Sequence, residues 1–502
     1  MSELYEKLED YVYGDVYPFH GPGHKRSFYE NDFLSELYKR DITGVDGFNK
    51  LSEQDGLLRD AMDRAARTYK ADETFYLVNG VQTGMLAAVF GCVKRGGKVL
   101  VMRNSRKYVY NALQLRELGA IYISGETDDE LGLTKGVTVE IVEETMKQHE
   151  DIQAVIITSP TMDGISSEVE DIAEFLHERR IPLIVDASFG THFGFAGFLP
   201  INAVECGADV VIHSLYESLP SPVQTGLLHV NGSIVDKEKI RENLLMLQGD
   251  DLSYPLMAAM DECIEFLSGD SAAWQNFYDR RAKLSDELKR LKHIEIFDAF
   301  TMGRSDAPEI GKMLLIPKSK NMNGKQLFDR LRKEFGIQAQ LAMPEYVLLG
   351  FSVCDTEEGY ERLTLALQKL DEELEEKENT TRTMSGGRDL GSLEALFGVS
   401  SSNNSGKESA YPPASDLLIV RRISDAMECE KESVPINMCE GRISGTYVGV
   451  YPSQQPILIP GQRITKDLLS LINHYKRLGF VIQGDFMERI EVLRESKHQV
   501  EA

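Results

Sequence analysis

Positive charge is scarce in this chain: 55 Lys and Arg stand against 80 Asp and Glu, a formal net charge of −25 at pH 7. A surface so acidic repels a phosphate backbone, which argues against a nucleic-acid partner and equally serves solubility. Cysteine is also sparse. The six residues Cys92, Cys206, Cys263, Cys354, Cys429 and Cys439 show neither CxxC nor Cys/His spacing. No metal site or disulfide framework is therefore indicated, and reduced thiols in a cytosol are the default. No apolar run approaches the roughly 20 residues that span a bilayer, and MSELYEKLEDYVYGD at the start lacks the apolar core of a signal peptide. The expectation is a cytoplasmic protein with no membrane partner. Internal repeats are absent as well.

What is present is length, 502 residues with 42% apolar composition, too long for one hydrophobic core. Short β-rich runs alternate with amphipathic stretches: Lys98–Arg103, Ala120–Ser124, Ala154–Thr158, Pro182–Asp186, Asp209–His213 and Thr225–Val230 read as strands. VTVEIVEETMKQHE and DIAEFLHERR between them read as helices. Such alternation indicates an α/β fold with a mainly parallel sheet covered on both faces, whose ligands bind just beyond the strand ends. The expected organisation is an N-terminal arm (1–40), a major domain (41–268), a smaller α/β domain (269–376), a polar flexible linker (377–412) and a C-terminal α+β domain (413–502).

Three segments lie where such a sheet places its chemistry. In LVNGVQTGMLAAVFG a strand end and a glycine turn lead into a helix, and backbone amides there with Gln82, Thr83 and Gly84 can hold a phosphate, although the same pattern is commonly only a turn. In PLIVDASFGTHFGF, Asp186 ends a buried-looking strand, where a carboxylate either pairs with a protonated ring nitrogen or merely caps the next turn. In GADVVIHSLYESLPSPVQTGLLHV a strand runs into Ser214, Tyr216, Glu217 and Ser218.

In this order and at these spacings, the segments resemble the Orn/Lys/Arg decarboxylases, pyridoxal-phosphate enzymes of fold type I. FHGPGHK, DITGVDGFNKL, RNSRKYVYNAL and the late EGRISGTYVGVYPSQQPILIPGQRIT extend the resemblance over nearly the whole length. It implies a pyridoxal-phosphate transferase-like major domain, that cofactor, and an active site formed at a dimer interface. Carried over residue by residue, it also exposes departures. The family's lysine, which forms the internal aldimine, is Glu217 here, and a carboxylate cannot condense with an aldehyde. The histidine that stacks on the cofactor ring is Arg106, followed by Lys107 and Tyr108. The family's DEAHG has become Asp186, Ala187, Ser188, Phe189 and Gly190, keeping the ring-nitrogen partner and losing the active-site histidine. Tyr216 replaces another family histidine, whereas Ser214, the phosphate contact, is kept. Val81 and Gln82 replace small hydroxyl residues, and Asp250 and Asp251 stand where hydroxyls help close the phosphate end.

Loss at several independent positions speaks against a single accidental exchange at Glu217. Lys107 is a possible substitute amine, but it retains the family's own lysine position and with it the older role. The reading is a catalytically degenerate homologue in which Gln82, Thr83, Gly84, Arg106, Asp186, Phe189, Ser214 and Tyr216 mark a degenerate cofactor site, covalent cofactor attachment is absent and no metal is used. It is expected to serve as scaffold, regulatory subunit or sensor, paired with itself or with an active paralogue. The alternative is a pyridoxal-phosphate-dependent lyase with residual or altered activity, in which Glu217 acts as a general base.

Overall fold

The computed structural model describes residues 1–14, 32–48, 50–53, 55–128, 131–249, 252–269, 272–301, 307–385, 417–451, 453, 455–484 and 488–494. FHGPGHK, the Asp250–Asp251 pair and 386–416 lie outside the described residues.

Seven strands form the central sheet: β1 (Glu73–Leu77), β2 (Lys98–Met102), β3 (Gly119–Ile123), β4 (Ile152–Thr158), β5 (Leu183–Asp186), β6 (Val210–Ser214) and β7 (Gly226–Val230). Their order is β1-β7-β6-β5-β4-β2-β3. Pairing is parallel from β3 through β6, while β7 runs antiparallel to both β6 and β1. β5, β6 and β7 are buried along their entire length. Near-continuous Val, Ile and Leu there reflects helices covering both faces. The six anticipated strands are present with ends displaced by at most a residue or two. β1 was anticipated only at its end, before the glycine turn of LVNGVQTG; its start at Glu73 lies close behind a helix (Leu57–Tyr69) and was not marked.

Beyond the helix Tyr254–Ser268, a second unit opens with the helix Ala272–Leu288. It contains β8 (Ile294–Asp298), β9 (Lys312–Pro317), β10 (Leu341–Ala342) and β11 (Val347–Gly350), ordered β10-β11-β9-β8 and antiparallel throughout. Its closing helix runs Glu357–Ser385, so its last residues fall inside the stretch anticipated as linker. The C-terminal unit pairs β12 (Lys431–Pro435) with a late strand (Arg489–Leu493) and places Val448–Val450 between two further short strands. Arg103, 1% exposed, anchors this unit to the major sheet by donating to the carbonyls of Pro456 (2.7 Å) and Ile457 (3.0 Å) and to the Tyr110 hydroxyl (2.9 Å).

Candidate functional site

The site lies at the carboxyl ends of β5 and β6 and at the start of the helix Lys107–Leu115. Asp186 ends β5 and is fully buried. A buried carboxylate requires donors, because its desolvation is costly otherwise. Here every donor comes from the chain itself. The Tyr108 hydroxyl donates to Oδ2 at 2.5 Å, and Ser188 donates to Oδ1 through its hydroxyl (2.6 Å) and its amide (3.2 Å). Burial, and then the charge of Asp186, hold the Tyr108 phenol well above its usual pKa, so it remains a donor at neutral pH. Replacing Tyr108 by Phe is expected to cost about 1.5–3 kcal/mol, the range for a hydrogen bond to a buried charge. Urea unfolding of wild type and variant measures it; an unchanged midpoint would refute the contact.

One helical turn follows β6, and Glu217 sits within it. Its Oε1 accepts from Nη2 of Arg106 at 3.0 Å. Side-chain exposure is 3% for Arg106 and 18% for Glu217, so the pair is largely withdrawn from water. The guanidinium also lies 4.0 Å from the centre of the Phe189 ring, a planar cation on an aromatic face. Burial opposes the Arg106 charge, yet Tyr108, Asp186 and Glu217 together raise its pKa above the ordinary arginine value. Phe189 is itself 2% exposed and belongs to an apolar cluster with Leu131, Phe297 and Leu314, which joins the major sheet to the second unit.

The structure thus brings Arg106, Asp186, Phe189 and Glu217 together, with Tyr216 half-buried beside them. The remaining anticipated residues behave differently. Thr83 uses its hydroxyl to donate to the Asn79 carbonyl (3.2 Å). Gly84 serves close packing, since a Cβ there would lie 2.6 Å from Leu77 Cδ1. Gln82 is exposed, and the Ser214 hydroxyl is fully buried with no partner. Lys107 is exposed, with its ammonium 5.2 Å from the Tyr447 ring centre, and takes no part in the Arg106, Glu217 and Asp186 contacts.

Sequence reasoning named Tyr108 as a departure without seeing its partner, and it missed Lys312 altogether. Lys312 opens β9 at 5% exposure, lies 5.0 Å from the Phe189 ring centre, and donates to Gln340 Oε1 at 2.9 Å. Burial lowers its pKa despite the opposing charges of Glu309, Glu217 and Asp163. Nearby, His192 Nε2 and Glu309 Oε2 are 3.0 Å apart, and Asp163 accepts from the Tyr346 hydroxyl at 2.9 Å. A lysine heading an apolar strand roughly a hundred residues downstream offers no local signal. Among the described residues, no group of three or more His, Cys, Asp or Glu is placed to hold a metal, and no helix is long and apolar enough to cross a membrane.

These residues do not fit pyridoxal phosphate held in the family's manner. The carboxylate that would face a protonated ring nitrogen is already satisfied by Tyr108 and Ser188. At the position that the resemblance assigns to the imine-forming lysine stands Glu217, an acid paired with Arg106. The Ser214 hydroxyl, buried without a partner, still matches a phosphate end.

Comparison with known proteins agrees with this geometry at the level of scaffold. Residues 2–319 match the family model for the Orn/Lys/Arg decarboxylase major domain. An arginine decarboxylase of Bacillus subtilis is 26% identical over 509 residues, covering 99% of this chain and 98% of the relative. One from Bacillus anthracis is 26% identical, with 99% and 97% coverage. Among solved structures, the lysine decarboxylase of Francisella novicida superposes with a TM-score of 0.79 at 16% identity, covering 98% of this chain and 81% of that one. The constitutive lysine decarboxylase of Escherichia coli gives 0.76 at 18% identity, with 98% and 82% coverage.

Proposed function

The chain belongs to the Orn/Lys/Arg decarboxylase family, and from that premise we propose that it is a non-catalytic member, kept as a scaffold, regulatory subunit or sensor. The carrying observation is the Arg106–Glu217 ion pair, at the position where the resemblance puts an imine-forming lysine. An acid cannot become an imine, and it cannot return a proton as an amine does. The contacts of Tyr108 and Ser188 with Asp186 support the same reading, because they supply from within the chain donors that the buried carboxylate would otherwise need.

A fold retained without its chemistry retains an interaction, and in this reading the protein acts in the cytoplasm, paired with itself or with a lysine-bearing paralogue. Borohydride trapping of the protein as purified, without added pyridoxal phosphate, followed by peptide mass spectrometry, tests the proposal. No pyridoxyl adduct is expected on any peptide, and the purified protein is expected to show no internal-aldimine absorbance band.

One observation favours a second reading, a pyridoxal-phosphate-dependent amino-acid carboxy-lyase of altered design. Lys312 is a buried amine whose lowered pKa favours its nucleophilic neutral form, and it faces the Phe189 ring. A reduced adduct on Lys312 would establish that reading in place of the first.

A further inference from the structure

A cavity of about 340 Å³ lies in the second unit, between the helices Ala272–Leu288 and Glu357–Ser385. That volume is at the lower end of small-molecule sites, roughly 300–1,000 Å³. The two helices run side by side in one direction. Lys283 meets Glu357, and further along the chain the amides of Lys292 and His293 meet Asp371. Leu284 and the Tyr360 ring are buried where they line the cavity, whereas Leu365 is 67% exposed.

Charge in this cavity is divided between two ends. Arg280 and Lys283 both converge on Glu357, at 3.5 and 3.3 Å, which leaves that end net positive. Glu287 and Glu361, which also line the cavity, each stand four residues further along their helices. That spacing displaces them by roughly 6 Å. Neither carboxylate makes an ion pair among the described residues, so their end is net negative.

Tyr360 supplies an independent observation. It is 6% exposed, and its hydroxyl is buried without a hydrogen-bond partner. A buried hydroxyl in that state is costly until an acceptor completes it. The charges of Asp355, Arg281, Arg280 and Glu357 act on it, which places it at the cationic end. Burial, and then Asp355, raise its pKa, so it keeps its proton and offers a donor at neutral pH.

We propose that this cavity binds a small amino-acid zwitterion non-covalently, with its carboxylate at Arg280, Lys283 and the Tyr360 hydroxyl and its ammonium between Glu287 and Glu361. The carbon chain would lie on Leu284. A simple anion would be repelled by the two glutamates, and a simple cation would bring no acceptor to the tyrosine, so neither matches both ends. The assignment goes beyond the proposed function and does not depend on it.

Isothermal titration of the full chain at low salt tests it, with L-leucine, L-glutamine and 4-aminobutyrate as probes and butylamine and butyrate as single-charge controls. At least one zwitterion is expected to bind below about 1 mM, and at least about tenfold more tightly than either control. Tyr360→Phe is expected to weaken that binding at least about tenfold. Its melting temperature should not fall, because the hydroxyl makes no contact within the chain that could be lost. The double variant Glu287→Gln, Glu361→Gln changes only the ammonium end and should weaken binding to a similar degree. No binding by any of the three zwitterions, equal binding of a control, or binding that survives either variant overturns the assignment. A pyridoxyl adduct would bear on the non-catalytic reading alone and leave this site untouched.

Discussion

Glu217→Lys is expected to destabilise the protein by about 3–5 kcal/mol and to restore no decarboxylase activity. The substitution removes the partner of Arg106, whose side chain is 3% exposed, and sets a second cation beside it. Lys312 adds a third basic group to the same surroundings, its own pKa already lowered by burial and sensitive to the charge of Glu217. Breaking a buried pair costs more than the pair contributes, because the remaining charge is left uncompensated. Like charges at a few ångströms add to that cost. Guanidinium chloride unfolding of Glu217→Lys should therefore show a large fall in midpoint. The double variant Arg106→His, Glu217→Lys should recover much of the loss, since it removes the clash and reinstates the family's residue types at both positions. Absorbance near the visible edge should remain absent in the double variant as long as Tyr108 and Ser188 satisfy Asp186. Full activity from Glu217→Lys alone would show that the site had been one residue from function, and the non-catalytic reading would fail.

Acid should unfold this protein from about pH 6.5 downward, ahead of general carboxylate titration, because two histidines are buried within the central sheet. His213 on β6 and His229 on β7 are both fully buried. Nδ1 of His213 lies 3.1 Å from Nε2 of His229, whose Nδ1 lies 2.8 Å from the Thr74 hydroxyl. The Tyr69 ring covers both, at 4.9 and 4.8 Å between centres. Burial, with His192 adding to it, pushes His213 down to about 3, and burial likewise holds His229 well below the ordinary value. Below the unfolded value of about 6.5 the unfolded chain takes up protons that the native state refuses, so stability falls with pH. The slope is about 1.4 kcal/mol per pH unit for a ring that stays neutral in the native state while the unfolded chain protonates it. Asp163 and Asp209, whose pKa values are raised by burial, act in the opposite sense as the pH falls. Comparison with His213→Leu isolates the histidine contribution: unfolding free energy measured against pH should show about half the wild-type slope between 6.5 and 4.5. Equal slopes would mean that the buried rings do not set the acid limit.

Much of the scaffold was legible because its signals are local. Val-, Ile- and Leu-rich runs such as PLIVD and VVIHS, each followed or preceded by an amphipathic stretch, mark strands buried on both faces. Of β1 only the end before the LVNG turn was legible, because ETFYL has no turn before it, and its place at the sheet edge depends on pairing with β7 from Glu73↔Val230 to Leu77↔Gly226. Strand direction was likewise only partly legible: the antiparallel β7 and the fully antiparallel second sheet follow from connections between distant segments. At the site, Asp186, Arg106 and Glu217 were found from strand ends and from family resemblance. At Gly84, expected to face a phosphate, a Cβ would also lie 2.6 Å from Leu77 Cδ1, a packing constraint that residue type alone does not reveal.

The amino-acid order, without any coordinates, determined that position 217 carries an acid and that no imine can form there. Covalent chemistry depends on residue type, and residue type is given by the chain. Tertiary structure decided what these groups contact. It joined Glu217 to Arg106 across 111 positions, satisfied Asp186 with Tyr108 across 78, and set Lys312 against Phe189 from another unit. Those outcomes depend on distance and desolvation, which arise only when remote segments are packed together, and no reading along the chain contains them.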